Sequence, residues 1–394
     1  MDDLEQLKSW IETVQRHLPV LTKPQAVVLA LWSFGIVVMQ SCGLTTVTAF
    51  LAALLQCKEA AMRQRLREWY RDGKDKKGEK RQELNVTVCF APLLRWVLSW
   101  WPEDEERIAL AIDATTLADR FVVLAVSVVY RGCGLPVAWI VLQGNAKDAW
   151  KPHWLALLAH VKDSIPDEWC VVVTGDRGLY ARWLYRAIVD NGWHPFLRIN
   201  RGAKCRIEGT YSFRWLAELI PAPGRHWSGR VTCFKSNPLH CTLLACWGEQ
   251  HEEPWIILTD IAPQQADVLW YSLRPWIECG FRHTKRGGWR WNRCRMTDPK
   301  RATRLWLAIA VATLWCVSVG GEADATCTAS TINALPESHI AWRLATGCSR
   351  SRRLSCLRQG IIAILVALIT GRPLPFGHFF PEPWPSSSLV NDTS

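Results

Sequence analysis

Four side chains with complementary chemistry stand at helical spacing in the stretch YSLRPWIECGFRHTK: Tyr271, Arg274, Glu278 and Lys285, at offsets of 0, 3, 7 and 14. At roughly 100° of turn per residue, they fall within about 60° of one another on one helix face. Six basic residues occur between Arg282 and Arg295 (Arg282, Lys285, Arg286, Arg290, Arg293, Arg295), with no acid among them. A carboxylate at the head of so cationic a segment suits the holding of a divalent metal beside a polyphosphate strand. Taken alone, such a face is more often a solvated surface with local ion pairs. The chemistry therefore needs further carboxylates, and two are candidates. Asp113 closes the apolar run that starts at Arg107, and Asp176 lies between glycines in Gly175-Asp176-Arg177-Gly178. Each by itself reads as a turn former or helix cap. The glycines around Asp176 would let backbone and a metal-bound phosphate approach closely.

Positioning those acids is a matter of strand order. Arg107–Asp113, Phe121–Tyr130 and Leu135–Leu142 read as three consecutive strands, the last two joined by the hairpin signal Arg131-Gly-Cys-Gly134. Trp150–Val161 has helical spacing, Trp169–Thr174 is a fourth strand, Tyr180–Val189 a second helix and Trp193–Ile199 a fifth strand. The order β-β-β-α-β-α-β is that of a ribonuclease-H-like fold, in which the first strand pairs with the fourth and would bring Asp113 to Asp176. Residues 202–262 break this rhythm with short alternating runs at Cys205–Ile207, Gly229–Phe234, His240–Trp247 and Trp255–Leu258, a β-rich insertion. The Glu278 segment and an apolar helix over Pro299–Val319 complete the core at residues 263–320.

Ahead of this α/β core, residues 1–104 read as helical. Leu4–Leu18 carries an apolar stripe, Thr22-Lys23-Pro24 opens a second helix, Gly43 interrupts before Thr45–Leu55, and Asn85–Trp101 forms another. Between them Arg63–Arg81 holds nine basic and four acidic residues. It reads equally as a solvated linker and as a DNA-backbone contact. Residues 321–394 comprise a small, polar linker over 320–335, a helical segment over Ala341–Ile369 with Arg350, Arg352, Arg353 and Arg358, and a proline-rich tail expected to be mobile.

Composition sets the partner class. A formal charge of +11 and a pI near 9.1 favour a polyanion, nucleic acid first, with an acidic membrane surface as the alternative. The opening MDDLEQLK lacks a basic leader and an apolar run. The apolar runs Leu305–Val319 and Ile361–Ile369 are shorter than the ~20 residues of a membrane span, so buried helices and no membrane are expected. Fifteen scattered cysteines without a CxxC pair point to reduced thiols in a cytoplasm.

Asp113 in D-A-T, Asp176 in D-R-G and Y-x2-R-x3-E-x6-K at 271–285 together resemble the DDE transposases of bacterial insertion sequences, specifically the cut-and-paste, IS-four-like group with a Tyr-Arg-Glu-Lys signature. The likeness covers about residues 105–320. His283 stands where relatives often carry an acid, and Pro275 suggests that the helix begins there, leaving Tyr271 on the preceding segment. The resemblance implies two Mg²⁺ ions, replaceable by Mn²⁺, with Asp113 bridging both and Asp176 and Glu278 completing one site each. It implies that Tyr271, Arg274 and Lys285 hold transposon-end phosphates and a DNA hairpin, and that an insertion tryptophan, Trp255 or Trp247, takes a flipped base. Core packing is the commoner fate for those two indoles. Arg282, Arg286, Trp289, Arg290 and Trp291 would extend the DNA surface. The implied partners are double-stranded DNA, both inverted-repeat ends and target, and a second copy of the chain, at the nucleoid of a prokaryotic cytoplasm. A nuclease of the same fold without strand transfer, or a non-catalytic DNA-binding relic, would share many of these features.

Overall fold

Nearly continuous apolar runs dictate strands covered on both faces, and such runs form the middle of a ten-stranded sheet whose strands at 204–233 are short or half-exposed. The computed structural model describes residues 3–76, 82–145, 149–249, 251–325 and 354–386. Helices α1 (Asp3–His17), α2 (Lys23–Met39), α3 (Leu44–Leu54), α4 (Glu59–Tyr70) and α5 (Phe90–Ser99) lead into the sheet. Then come β1 (Arg107–Leu117), β2 (Phe121–Tyr130), β3 (Cys133–Gln143), α6 (Lys151–Lys162), β4 (Cys170–Gly175), α7 (Arg182–Asp190) and β5 (His194–Arg198). The rest of the sheet is β6 (Lys204–Ile207), β7 (Arg214–Trp215), β8 (His226–Cys233), β9 (Leu239–Cys246) and β10 (Trp255–Thr259), with the single turn α8 (Leu216–Leu219) between β7 and β8. Helices α9 (Trp276–Arg282), α10 (Pro299–Ala325) and α11 (Cys356–Ile369) follow.

Strand order is β3-β2-β1-β4-β5-β10-β9-β8-β6-β7. The expected pairing of the first and fourth strands is present: β1 runs parallel to β4 from Arg107↔Cys170 to Ile112↔Gly175, and antiparallel to β2. The strands of 202–262 do not form a sheet of their own. β10 lies antiparallel to β5 and carries β9, β8, β6 and β7 outward from the same edge.

Several expectations need correction. The basic stretch after Arg63 is helical up to Tyr70, because Met62, Leu66 and Trp69 fall on one face of α4 and are buried. The N-terminal helices share one hydrophobic cluster with the rest of the chain. Trp10 of α1 stacks on Trp315 of α10 at 4.2 Å, and the buried Arg304 of α10 donates to Tyr70 O and Asp72 at 2.7 Å each. Helix α10 exceeds the expected run. At 27 residues it is long and apolar enough to cross a membrane, yet 94% of its apolar window is buried inside the protein. The tail, expected to be mobile, is a packed strap as far as it is described. Phe379 is buried, its N–H donates to Trp100 O (2.8 Å), the Phe380 N–H donates to Tyr130 Oη (2.8 Å), and Trp384 meets Trp270 edge-on. Proline-rich chain needs no ladder of its own, so side-chain anchors decide whether it is held. The expected helical stretch 341–353 with Arg350, Arg352 and Arg353, most of the 320–335 linker, and the last tail residues lie outside the described residues.

Candidate active site

Register brings the two aspartates level. The β1–β4 pairing ends at Ile112↔Gly175, so Asp113 and Asp176 are the next residue on each strand. The expectation that β1 stops at Asp113 is corrected: β1 continues to Leu117 against β2 alone, and it is the parallel neighbour that ends. An opening at the carboxyl ends of parallel strands results, the usual place for chemistry in such sheets.

Glu278 arrives on α9. That helix sits directly on the β2–β3 hairpin, because neither contacting residue has a side chain: a Cβ on Gly280 would lie 2.6 Å from Gly134 O, and one on Gly134 would lie 2.9 Å from Ile277 Cα. Pro275 is the N-cap of α9, and Tyr271 lies before it in a 3₁₀ turn over Val268–Leu273. The single continuous face is therefore corrected at both ends. After Arg282 the chain widens into one π-helical turn, His283–Gly287, and this turn carries Lys285.

The acids converge on a guanidinium. Arg274 donates through Nη2 to Asp113 Oδ2 at 2.8 Å, its Nη2 lies 3.7 Å from Asp176 Oδ2, and its Nη1 bonds Glu278. The Arg274 side chain is 10% exposed and Asp113 16%, against 31% for Glu278 and 37% for Asp176, so the cluster is shielded at its floor and open at its mouth. Burial raises the Asp113 carboxyl to about 6, with Arg274 and the Ala114 N–H (2.8 Å) pulling the other way. Burial likewise opposes the charge on Arg274, but the surrounding anions outweigh it and its pKa rises. Tyr271 is buried edge-on to Trp255 (5.2 Å). Burial raises its phenol, which donates to Asp176 Oδ1 over a long 3.5 Å. Lys285 donates to Thr115 Oγ1 at 2.8 Å and Thr116 O at 3.3 Å, with burial lowering its pKa.

The remaining candidates divide by exposure. Arg282, Arg286 and Arg290 are exposed on the surface after α9. The indoles are not: Trp255 and Trp247 take the commoner core fate, and the surface role expected of Trp289 and Trp291 is corrected. Trp255, the first residue of β10, is buried, Trp247 donates to His251 O (2.7 Å), and Trp289 is fully buried with its N–H on Thr313 Oγ1 (2.8 Å). Trp291 is fully buried as well. Their bulk is consumed by the core, leaving no open face for a base. Two features escaped the sequence reading. One is Arg274 as hub of the three acids rather than a phosphate ligand alone. The other is Thr115, legible only as a polar interruption of an apolar strand.

Three carboxylates are hard oxygen donors of the kind Mg²⁺ or Mn²⁺ takes. Among the described residues no three acid, histidine or cysteine groups close on one point as a metal site would require. The donor chemistry fits such ions, while the geometry is drawn around a guanidinium, itself a cation.

Comparison with known proteins gives the family. The transposase DDE domain matches residues 104–315, which is more than half of the chain and includes Asp113, Asp176 and Glu278. Among curated proteins, none matches the sequence. Among solved structures, the chain is similar to a piggyBac transposase synaptic complex with hairpin DNA, determined by cryo-electron microscopy. The identity is 11% over 79% of this chain and 75% of that one, with a TM-score of 0.36. The chain belongs to the DDE transposase family.

Proposed function

We propose that the protein is a cut-and-paste transposase of the Tyr-Arg-Glu-Lys group of bacterial insertion sequences, built on a ribonuclease-H-like core. The observation that carries the reading is the sharing of one guanidinium by Asp113, Asp176 and Glu278, which come from three separate parts of the chain. Asp113, Asp176 and Glu278 would hold two Mg²⁺ or Mn²⁺ ions. Bound there, such ions supply charge that stabilises both the attacking and the leaving oxygen of an in-line phosphodiester displacement.

The chain's own residues do the rest. Arg274 holds the carboxylates together against their mutual repulsion until other cations take its place. Released, its planar fork suits a bidentate phosphate contact. Lys285, anchored on Thr115 beside Asp113, offers a point charge to the DNA strand at the rim. Tyr271 steers Asp176 from the buried side. Arg282, Arg286 and Arg290 extend the positive surface away from the acids, toward the backbone of the transposon end. Excision through a hairpin, action on a pair of inverted repeats by a dimer, and a nucleoid setting belong to the same reading.

Strand transfer distinguishes this reading from a simple nuclease. Pre-cleaved ends with free 3′-OH groups, taken from the DNA flanking the gene, are incubated with a supercoiled target plasmid in Mg²⁺. The reading expects joined products. Cutting of intact ends without any joining would show a nuclease instead.

A further inference from the structure

The basic run after Arg282 continues into a part of the surface that shares no lining residue with the cluster of Asp113, Asp176 and Glu278. A cleft of about 800 Å³ opens between the α2–α3 turn and the segment 290–301, with Thr45, Thr46, Arg290, Arg293 and Arg295 among its walls. Arg63 of α4 reaches the same place, donating to Thr45 Oγ1 at 3.4 Å. Arg290, Arg293 and Arg295 are exposed, and among the described residues none of them is paired with a carboxylate. The acid in the wall, Asp298, lies 3.8 Å from Arg301 Nε, and Arg301 also binds Asp75 at 2.6 Å. Arg301 is thus matched by Asp72, Asp75 and Asp298, and Arg63 by Glu59 (3.4 Å), so the uncompensated positive charge of the cleft is that of Arg290, Arg293 and Arg295.

The wall that carries these arginines is fixed. The Cys42 N–H donates to Trp289 O (2.7 Å), Trp289 and Trp291 are fully buried, and Arg120 donates to the carbonyls of Cys294 and Met296, the latter at 3.0 Å. Arg290 itself has φ +54°, a left-handed conformation that a non-glycine residue keeps only where the surrounding contacts impose it. Flexible lysines on a loose loop would make a solvated face. Arginines held on a clamped segment make a template for regularly spaced phosphates.

We propose that this cleft, apart from the acid cluster, is a second DNA-backbone site, in which Arg290, Arg293 and Arg295, with Arg63 at the rim, grip phosphates of a duplex extending beyond the cleavage point. The inference rests on the reading of the protein as a DNA-processing enzyme, but it concerns binding and can fail independently of catalysis. The site reads no sequence, since phosphate contacts position a duplex without specifying it.

The test is fluorescence anisotropy with a 30-base-pair duplex of arbitrary sequence, titrated at several NaCl concentrations in EDTA so that no cleavage can occur. Each phosphate contact contributes about 0.9 to the slope of log K against log[NaCl]. The triple variant R290A/R293A/R295A is expected to flatten that slope by about 2 to 3 and to weaken binding at least roughly tenfold. The matched variant R16A/R95A/R214A, which removes the same charge from exposed arginines elsewhere, is expected to flatten it by less than about 1. The variant R290K/R293K/R295K should restore the slope, and the single variants R290Q, R293Q and R295Q report the same effect singly should the triple variant misfold. An unchanged slope in the cleft variants, or equal losses in the matched set, would overturn the proposal. So would lost duplex binding that lysine fails to restore. If duplex binding responds as expected while strand transfer is absent, the cleft stands and the catalytic reading falls.

Discussion

A guanidinium among three carboxylates is a cation in the place where catalysis would need others. Removing it leaves Asp113, Asp176 and Glu278 to repel one another across a shielded floor. Arg274→Gln should therefore lower stability in EDTA by about 3 kcal/mol, the scale for losing one member of a largely buried ionic set. It should also tighten Mn²⁺ binding, read directly by electron paramagnetic resonance of free Mn²⁺, by roughly tenfold, equivalent to about 1.4 kcal/mol. Added Mn²⁺ should return most of the lost thermal stability. Weaker Mn²⁺ binding in that variant would mean that Arg274 builds the site rather than competes for it. Tyr271→Phe should be mild. Its hydrogen bond is long and its packing against Trp255 survives, so thermal denaturation should find a loss below about 1 kcal/mol.

At the scale of elements, the position of Glu278 depends on two missing side chains. Gly280→Ala places a methyl group against the Gly134 carbonyl, and neither backbone can yield cheaply. Melting should show a loss of about 1–3 kcal/mol from overpacking. DNA cleavage at a temperature where the variant is still folded should fall much further, because a small shift of α9 moves the carboxylate. Cleavage that falls only in proportion to the folded fraction would separate α9's height from catalysis.

The same scale explains what the sequence disclosed. Strands β1 to β4 are Val/Ile/Leu-rich runs punctuated by Gly and Asp, and β5 is a short apolar stretch after Gly192, so their order and the β1–β4 pairing could be read. Helix α4 could not, because its three buried positions, Met62, Leu66 and Trp69, are submerged in a charge run. The π turn at His283–Gly287 has no periodic signature either, and it moves Lys285 off the face of α9 toward Thr115. Trp247 and Trp255 take the core fate that is commoner for indoles, whereas the burial of Trp289 and Trp291, set among exposed arginines, is a tertiary outcome that local pattern does not encode.

Across the whole molecule, the first helix, the sheet, α10, α11 and the tail share one hydrophobic cluster. Its polar fastening is at the far end of α10. The wholly buried Asp324 takes Arg131 at 3.0 Å and Gln359 Nε2 at 3.1 Å, and Arg131 also meets Glu382 of the tail at 3.3 Å. Proline content alone suggested a loose tail, and only this fastening together with Phe379 shows why it is held. Phe379→Ala should cost about 3–5 kcal/mol by chemical denaturation, the range for emptying a buried aromatic site. A change below about 1 kcal/mol would make the strap an ornament.

Cleavage of transposon-end DNA by Asp113→Ala, Asp176→Ala and Glu278→Ala, singly and combined, is the most direct measurement of all. If the three carboxylates act as one site, each single variant should lose at least about a thousandfold in rate, and the triple variant should be scarcely worse, since residues acting as a unit are not additive. A single variant that cleaves at close to the unmodified rate would contradict the account.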